Sequence, residues 1–460
     1  MAGLERKRND CAHQGGARHP SHRSVGCEES AADRCAVAAF DSKIEPGSHM
    51  PVVQADVVIV GGGIGGGALA TVLARANLEV VVLERETSFP DRVRGEWIAP
   101  WGVAELKRLD LFDLLRDHGG LIITRNILYD EIWPPDVAEQ NAIDLTVMHP
   151  DAPGPMCIGH PLMCNVFRNA AVSHGVQFLT GVRDVEVVTG ARPSVTFSHD
   201  GTTTTLSPRL VVGADGRNSQ VRKQLGFHVE TDPPHSIVGG MLVANVPDWP
   251  RDVQAIGTED RLHFLVFPQG KDHVRLYACY DFADRARFSG AGKQAEMLRA
   301  YRMNCLPLGE LISAGTPVGP FNGYSNEDHW IDNPTAPGVV LIGDCAGHND
   351  PITGQGVSIT LRDVRLLRDI LLSANGDWKQ DDFTPYVDER RERMRRLRIS
   401  ARLARVVRSE FGPEQKARRA RFTKRSAARQ LSPYPAVLIG PERLPPEAYL
   451  PETIEKILAS

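Results

Sequence analysis

From Ala55 the chain alternates between short, wholly apolar runs and longer stretches in which apolar residues recur every three or four positions. Val57-Val58-Ile59-Val60 is uniformly apolar and stops at three glycines, so it reads as a strand buried on both faces. A helix over about 64–76 and a second strand over 79–83 complete a βαβ unit. A further helix is predicted over about 102–118, with Leu106, Leu109, Leu111, Leu114 and Leu115 as its apolar face. Residues 121–150 lose this periodicity around Trp133-Pro134-Pro135 and read as an insertion. Helix and strand return over 162–190 and lead to the strand Leu210-Val211-Val212.

Between Pro233 and Asp332 the texture changes to runs such as 262–267 and 274–280, which read as strands of an antiparallel sheet. The strand Val339-Val340-Leu341-Ile342 then leads through a glycine turn into a helix over about 356–372. An arginine-rich helix over about 385–410 and a proline-rich tail from Ser432 follow. Residues 1–50 show no periodicity and end in Gly47-Ser48-His49-Met50. A disordered leader, an expression-tag remnant and a mis-assigned start all fit them, and folding is expected to begin near Pro51.

Composition narrows the class. With 42% hydrophobic and 24% charged residues in 460, the chain is long enough for two or three globular domains. No run approaches the ~18 apolar residues of a membrane-spanning helix. The eight cysteines form no Cys-x-x-Cys, which argues against a disulfide framework or zinc site and suits the cytoplasm. Net charge is −4, yet Arg390 to Arg429 holds sixteen Lys and Arg against three Glu. This basic helix, Arg390 to Arg408, is either a solvated support or a landing surface for an acidic carrier protein. No nucleic-acid-binding motif accompanies it.

Gly61, Gly63 and Gly66, with Ile64 between them, satisfy G-x-G-x-x-G directly between strand and helix. The glycines allow a tight turn and bring backbone N–H groups and a positive helix end up to a pyrophosphate. Glu84 closes the next strand, where an acid accepts hydrogen bonds from an adenosine ribose, and Arg85 beside it is a further candidate contact. A carboxylate there repels a 2′-phosphate, so FAD or NAD is expected rather than NADP. A second glycine-rich strand-helix unit is missing, which disfavours enzymes with two dinucleotide domains.

Gly213-Ala214-Asp215-Gly216-Arg217-Asn218-Ser219, continuing to Val221-Arg222, resembles the GADGxxSxVR signature of single-component flavin monooxygenases, the p-hydroxybenzoate hydroxylase family. Gly343-Asp344-Cys345-Ala346-Gly347-His348, with Asp350-Pro351 and Gly354-Gln355-Gly356, resembles the same family's GDAAH...P..GQG segment. The resemblance covers about residues 52–400. It implies an α/β fold: a Rossmann-like FAD-binding domain over 51–120, 151–232 and 333–375, an antiparallel substrate sheet over 121–150 and 233–332, and a helical C-terminal region over 376–460. It implies FAD contacts at Asp215, Asp344 and the Gly354-Gln355-Gly356 turn, and an arginine loop over the flavin at Arg92 or Arg94, of which Arg94 is preferred. Two departures stand out. His348 falls one residue late and is given no role, and His160 takes the place of a customary arginine.

The activity so implied is monooxygenation: NAD(P)H as transient co-substrate, O2, a flavin C4a-hydroperoxide, and hydroxylation or epoxidation of an aromatic or polyketide-like small molecule. Pro351 would shape the oxygen pocket, and His263, Tyr277 and Tyr280 are the polar candidates on the inner face of the sheet. A geranylgeranyl-reductase-type flavin reductase is the alternative. A halogenase stands further off, because no two tryptophans lie two residues apart.

Overall fold

The computed structural model describes residues 55–374, 376, 378–428 and 430–459; the leader expected over 1–50 lies outside the described residues. A six-stranded sheet runs in the order Thr335–Ala336, Val339–Leu341, Leu210–Gly213, Val57–Val60, Val80–Glu84, Gln177–Thr180. All neighbours are parallel except the edge strand Thr335–Ala336. Both faces are covered, which is why these strands read as unbroken apolar runs. Val57, Ile59, Val82 and Val212 face the helices Ile64–Arg75, His160–Ser173 and Gly356–Ser373. Val58, Val60, Val81 and Val211 face a three-stranded antiparallel meander over residues 183–206. The sequence reading missed most of that meander, since Thr202-Thr203-Thr204-Thr205 carries no apolar alternation.

The helix expected over 102–118 is two helices, Pro100–Arg108 and Phe112–Asp117. Asp110 between them is left-handed, with φ of 56°, a conformation Asp tolerates and a helix cannot continue through. Leu106, Leu109, Leu111 and Leu115 still reach the core.

A seven-stranded sheet forms the second layer, in the order Thr316–Asn326, Ser236–Ala244, Val274–Asp281, Leu262–Pro268, Val253–Glu259, Arg125–Leu128, Ile143–Asp144. The 121–150 insertion thus completes this sheet, pairing in parallel with Val253–Glu259. Side chains alternate across it. His263, Leu265 and Phe267, with Tyr277 and Cys279 on the next strand, face a central cavity. Phe264, Val266, Leu276 and Ala278 face the opposite core with Met297 and Tyr301. Tyr280 falls in this second set, its ring 5.2 Å from Phe288. The expectation that Tyr280 lines the substrate pocket is therefore corrected: it lies an odd number of residues from Tyr277 and points the other way.

The arginine-rich helix, Thr384–Arg408, turns part of its charge inward. Arg390, Arg393 and Arg408 are buried. Arg390 and Arg393 both bond Asp363, and Arg390 also donates to the Gly343 and Gly347 carbonyls. The exposed Arg391 and Arg395 are paired with Asp388 and Glu392. Part of what looked like a basic face, Arg390 with Arg393, is thus an internal clamp beside the glycine turn before Asp344. The proline-rich tail contributes short helices, Ala436–Ile439 and Pro451–Ala459, and returns Tyr434, Val437 and Leu438 to the cavity wall. Among the described residues, no helix is long and apolar enough to cross a membrane.

Candidate active site

One cavity of about 740 Å³ lies between the two sheets and is lined by residues of both. At its parallel-sheet end the strand Val57–Val60 turns into the helix Ile64–Arg75. Gly61 has φ of +104°, and a Cβ there would fall 2.5 Å from the Ala214 carbonyl oxygen. A Cβ on Gly66 would fall 1.9 Å from the Gly61 carbonyl, whereas one on Gly63 would meet nothing within 4 Å. Gly61 and Gly66 therefore close the turn, and Gly63 leaves its open side clear. The helix starting at Ile64 has no side-chain cap and no acid in its first turn, so its leading N–H groups are free for an anion.

Glu84 is 8% exposed and accepts from the Gly62 N–H at 2.6 Å and the Glu86 N–H at 2.8 Å. It thus braces the turn while keeping lone pairs toward the cavity. Arg85 is exposed and paired with Glu86. Asp215 accepts from the N–H groups of Gln220 and Val221 through Oδ2, while its buried Oδ1 has no partner. Asp344 lines the cavity 3.4 Å from Arg217 Nε. Arg94 lies over the Tyr324 ring at 4.9 Å and Arg217 over the same ring at 6.0 Å. Burial, followed by Arg217, lowers Arg94 below the usual guanidinium value. Arg217 escaped the sequence reading because it occupies a variable position of its motif.

Gly354 is left-handed, with φ of 66°, and leads into the helix Gly356–Ser373, which again lacks a side-chain cap and first-turn acid. The Gln355 side chain turns inward instead, accepting from Trp101 Nε1 and donating to the Thr353 and Val437 carbonyls. It ties the tail to the helix start. His160 lines the cavity and is pushed down to about 4 by burial and by Arg92 and Arg94, so it adds no charge there. His348 stacks on His329 at 4.4 Å, away from the lining.

The sheet end of the cavity is mostly apolar. Its polar groups largely satisfy one another: Trp97 Nε1 donates to Gln254, and Gln254 donates to Asn126. Tyr277 donates its hydroxyl to Glu96 at 2.8 Å, and Arg275 clamps the same carboxylate. Burial and Glu96 push the Tyr277 phenol well up. His263 is held neutral, pushed down to about 3 by burial and by Arg408 and Arg419. Pro351 lines the cavity in a turn capped by Asp350, whose Oδ1 accepts from the Ile352 N–H.

Two predictions arise from this geometry. Glu84→Ala frees the Gly62 N–H and removes the ribose acceptor, so FAD affinity should fall about ten- to a hundredfold. Fluorescence titration with FAD measures this, and an unchanged dissociation constant would refute the role. Burial, with a smaller push from Asp328, raises Asp350 to about 7. An acid raised on folding contributes stability that is fully present below its unfolded value and is lost as pH rises through the folded one. From pH 6 to 8 the parent should therefore lose about 1 kcal/mol relative to Asp350→Asn, which keeps the Oδ1 acceptor. Melting temperatures at the two pH values test this, and an equal gap at both would refute it.

Comparison with known proteins accords with the fit between these residues and a bound dinucleotide. The family model described as an FAD binding domain matches residues 54–401. Squalene monooxygenase of Rattus norvegicus is 25% identical over 348 residues, covering 70% of this chain and 56% of that protein. Digeranylgeranylglycerophospholipid reductase 1 of Methanococcoides burtonii is 25% identical, covering 66% of this chain and 71% of that one. The chain spans about half to two thirds of the length of the squalene monooxygenases and epoxidases it matches. Among solved structures, p-nitrophenol 4-monooxygenase PnpA from Pseudomonas putida DLL-E4 superposes with a TM-score of 0.68 at 19% identity, covering 89% of this chain and 98% of that one. The chain belongs to the FAD binding domain family, and its architecture is the Rossmann-like FAD-binding fold of p-hydroxybenzoate hydroxylase type with an antiparallel sheet set against it.

Proposed function

We propose that this protein is an FAD-dependent monooxygenase that uses NAD(P)H and O2 to hydroxylate or epoxidise an apolar, aromatic or polyketide-like small molecule. The observation that carries the reading is the continuity of the cavity, which runs from the glycine turn to the apolar face of the second sheet. FAD, when bound, supplies the electron transfer and oxygen activation. The chain's own contribution is to hold, orient and exclude. The Gly61–Gly66 turn and Glu84 would hold the adenosine half, and Arg94 and Arg217 would offset phosphate charge. Asp344 would accept from ribityl hydroxyls, and the uncapped start of Gly356–Ser373 would face the electron-rich ring edge.

Leu265, Phe267, Ile352, Val437 and Leu438 wall the substrate end and keep water out. Neither His263 nor Tyr277 is set as a base: burial leaves the first a weakly basic, neutral imidazole, and the second is a donor locked onto Glu96. Their part is to shape and orient. The five described cysteines are buried free thiols, which suits the cytoplasm.

A second reading, reduction of an isoprenoid double bond, is favoured by the archaeal relative, most of whose length the chain covers. Oxygen separates the two. Purified protein loaded with FAD is reduced by NADPH under anaerobic conditions and then given substrate with or without O2. Product that requires O2 and carries its oxygen supports the monooxygenase, whereas product formed without O2 overturns it in favour of the reductase.

A further inference from the structure

At the sheet side of the cavity, the last residue of the helix Thr384–Arg408 enters the lining with an unmatched charge. The Arg408 side chain is 7% exposed, and its Nε and Nη1 have no hydrogen-bond partner. The acid paired with it, Asp130, stands 3.9 Å from Nη1 and is held more closely, at 3.3 Å, by Arg419. Glu131, the next acid, is taken by Arg419 and Lys416. Three cations therefore meet two carboxylates, and the surplus falls on the member that faces the cavity. Phe422 and Tyr434 flank the guanidinium at 5.8 Å and exclude water from it.

His263 borders the same place without adding charge. Thr258 donates its one hydroxyl hydrogen to the Arg408 carbonyl, so its contact with His263 Nδ1 at 3.0 Å is a bond the imidazole donates. Leaving a guanidinium buried and underpaired is unfavourable, and an incoming anion offsets this with charge-assisted hydrogen bonds.

We propose that Arg408 anchors an anionic oxygen, a carboxylate or an ionised phenol, on a substrate whose apolar body fills the cavity beside Leu265, Ile352 and Val437. The proposal rests on the reading of this cavity as the substrate site, and it narrows the substrate class from apolar molecules to apolar acids.

Calorimetric titration of the FAD-loaded protein tests it without turnover. The probes are 2-naphthoate, anthracene-2-carboxylate, their amides, and 2-naphthol. The acids should bind at least about tenfold more tightly than their amides. Arg408→Met should abolish that gap while FAD affinity stays unchanged, and Arg408→Lys should keep part of it. Tightening of 2-naphthol as it ionises would identify a phenolate as the preferred group, and preference confined to the acids a carboxylate. If no acid binds more tightly than its amide, or if a folded Arg408→Met keeps the preference, the proposal is overturned. The acid-amide comparison in the unmutated protein holds even if the Met variant fails to fold. Absence of an oxygen-dependent product would sink the monooxygenase reading and leave this binding result standing.

Discussion

Asp363→Asn is expected to lower stability by about 3–5 kcal/mol, among the largest effects of any single change in this protein. Asp363 is fully buried and accepts from the Gly343 N–H at 2.8 Å, Arg393 Nη2 at 2.6 Å and Arg390 Nε at 3.2 Å. Asn removes the negative charge and turns an amide donor toward two guanidiniums. Arg393 then keeps only Glu389, which it shares with Arg362, and Arg390 is left buried without an acid. Damage should also spread to the cofactor, because Asp363 and Arg390 together hold the backbone of Gly343, next to Asp344. Urea denaturation and FAD titration of the same sample report both effects. A melting temperature within about 2 °C of the parent would mean the arginine clamp contributes little.

Gly66→Ala should yield a protein that no longer retains FAD, with affinity down at least about a hundredfold. The added Cβ would sit 1.9 Å from the Gly61 carbonyl and 3.1 Å from Ile59 Cγ2, so the clash is with backbone and rigid core. Gly61 cannot retreat easily, since its own φ of +104° already places it against Ala214. Gly63→Ala is the matched control. Its Cβ meets nothing within 4 Å, so the variant should fold like the parent and hold FAD more tightly than Gly66→Ala does. Retention of FAD by Gly66→Ala would remove the close-packing argument for the turn.

What the sequence disclosed follows the range of the interactions involved. The glycine turn and Glu84 are legible from local spacing, and Asp215 and the Gly354-Gln355-Gly356 turn from the family resemblance; residues of each line one cavity, with the Gln355 amide tied to Trp101. Tyr280 was misread because both faces of its strand are largely buried and each carries a tyrosine, so a polar ring does not mark which face meets the cavity. Arg390 and Arg393 looked like surface charge because their partner, Asp363, belongs to another helix and only folding brings them together. The same holds for Val437 and Leu438, which sit in a proline-rich stretch with no period to read.

The walls of the cavity are drawn from residues as distant in the chain as Gly61 and Leu438. Such a site is a late product of folding. The glycine turn can form among sequence neighbours, but closure of the cavity waits on contacts that span most of the chain, and these are the slowest to find one another. FAD that arrives before closure meets an open groove, whereas FAD that arrives afterwards must wait for local opening. The timing of cofactor supply is therefore expected to matter beside equilibrium affinity: refolding with FAD present should give more flavin-loaded protein than adding FAD after refolding.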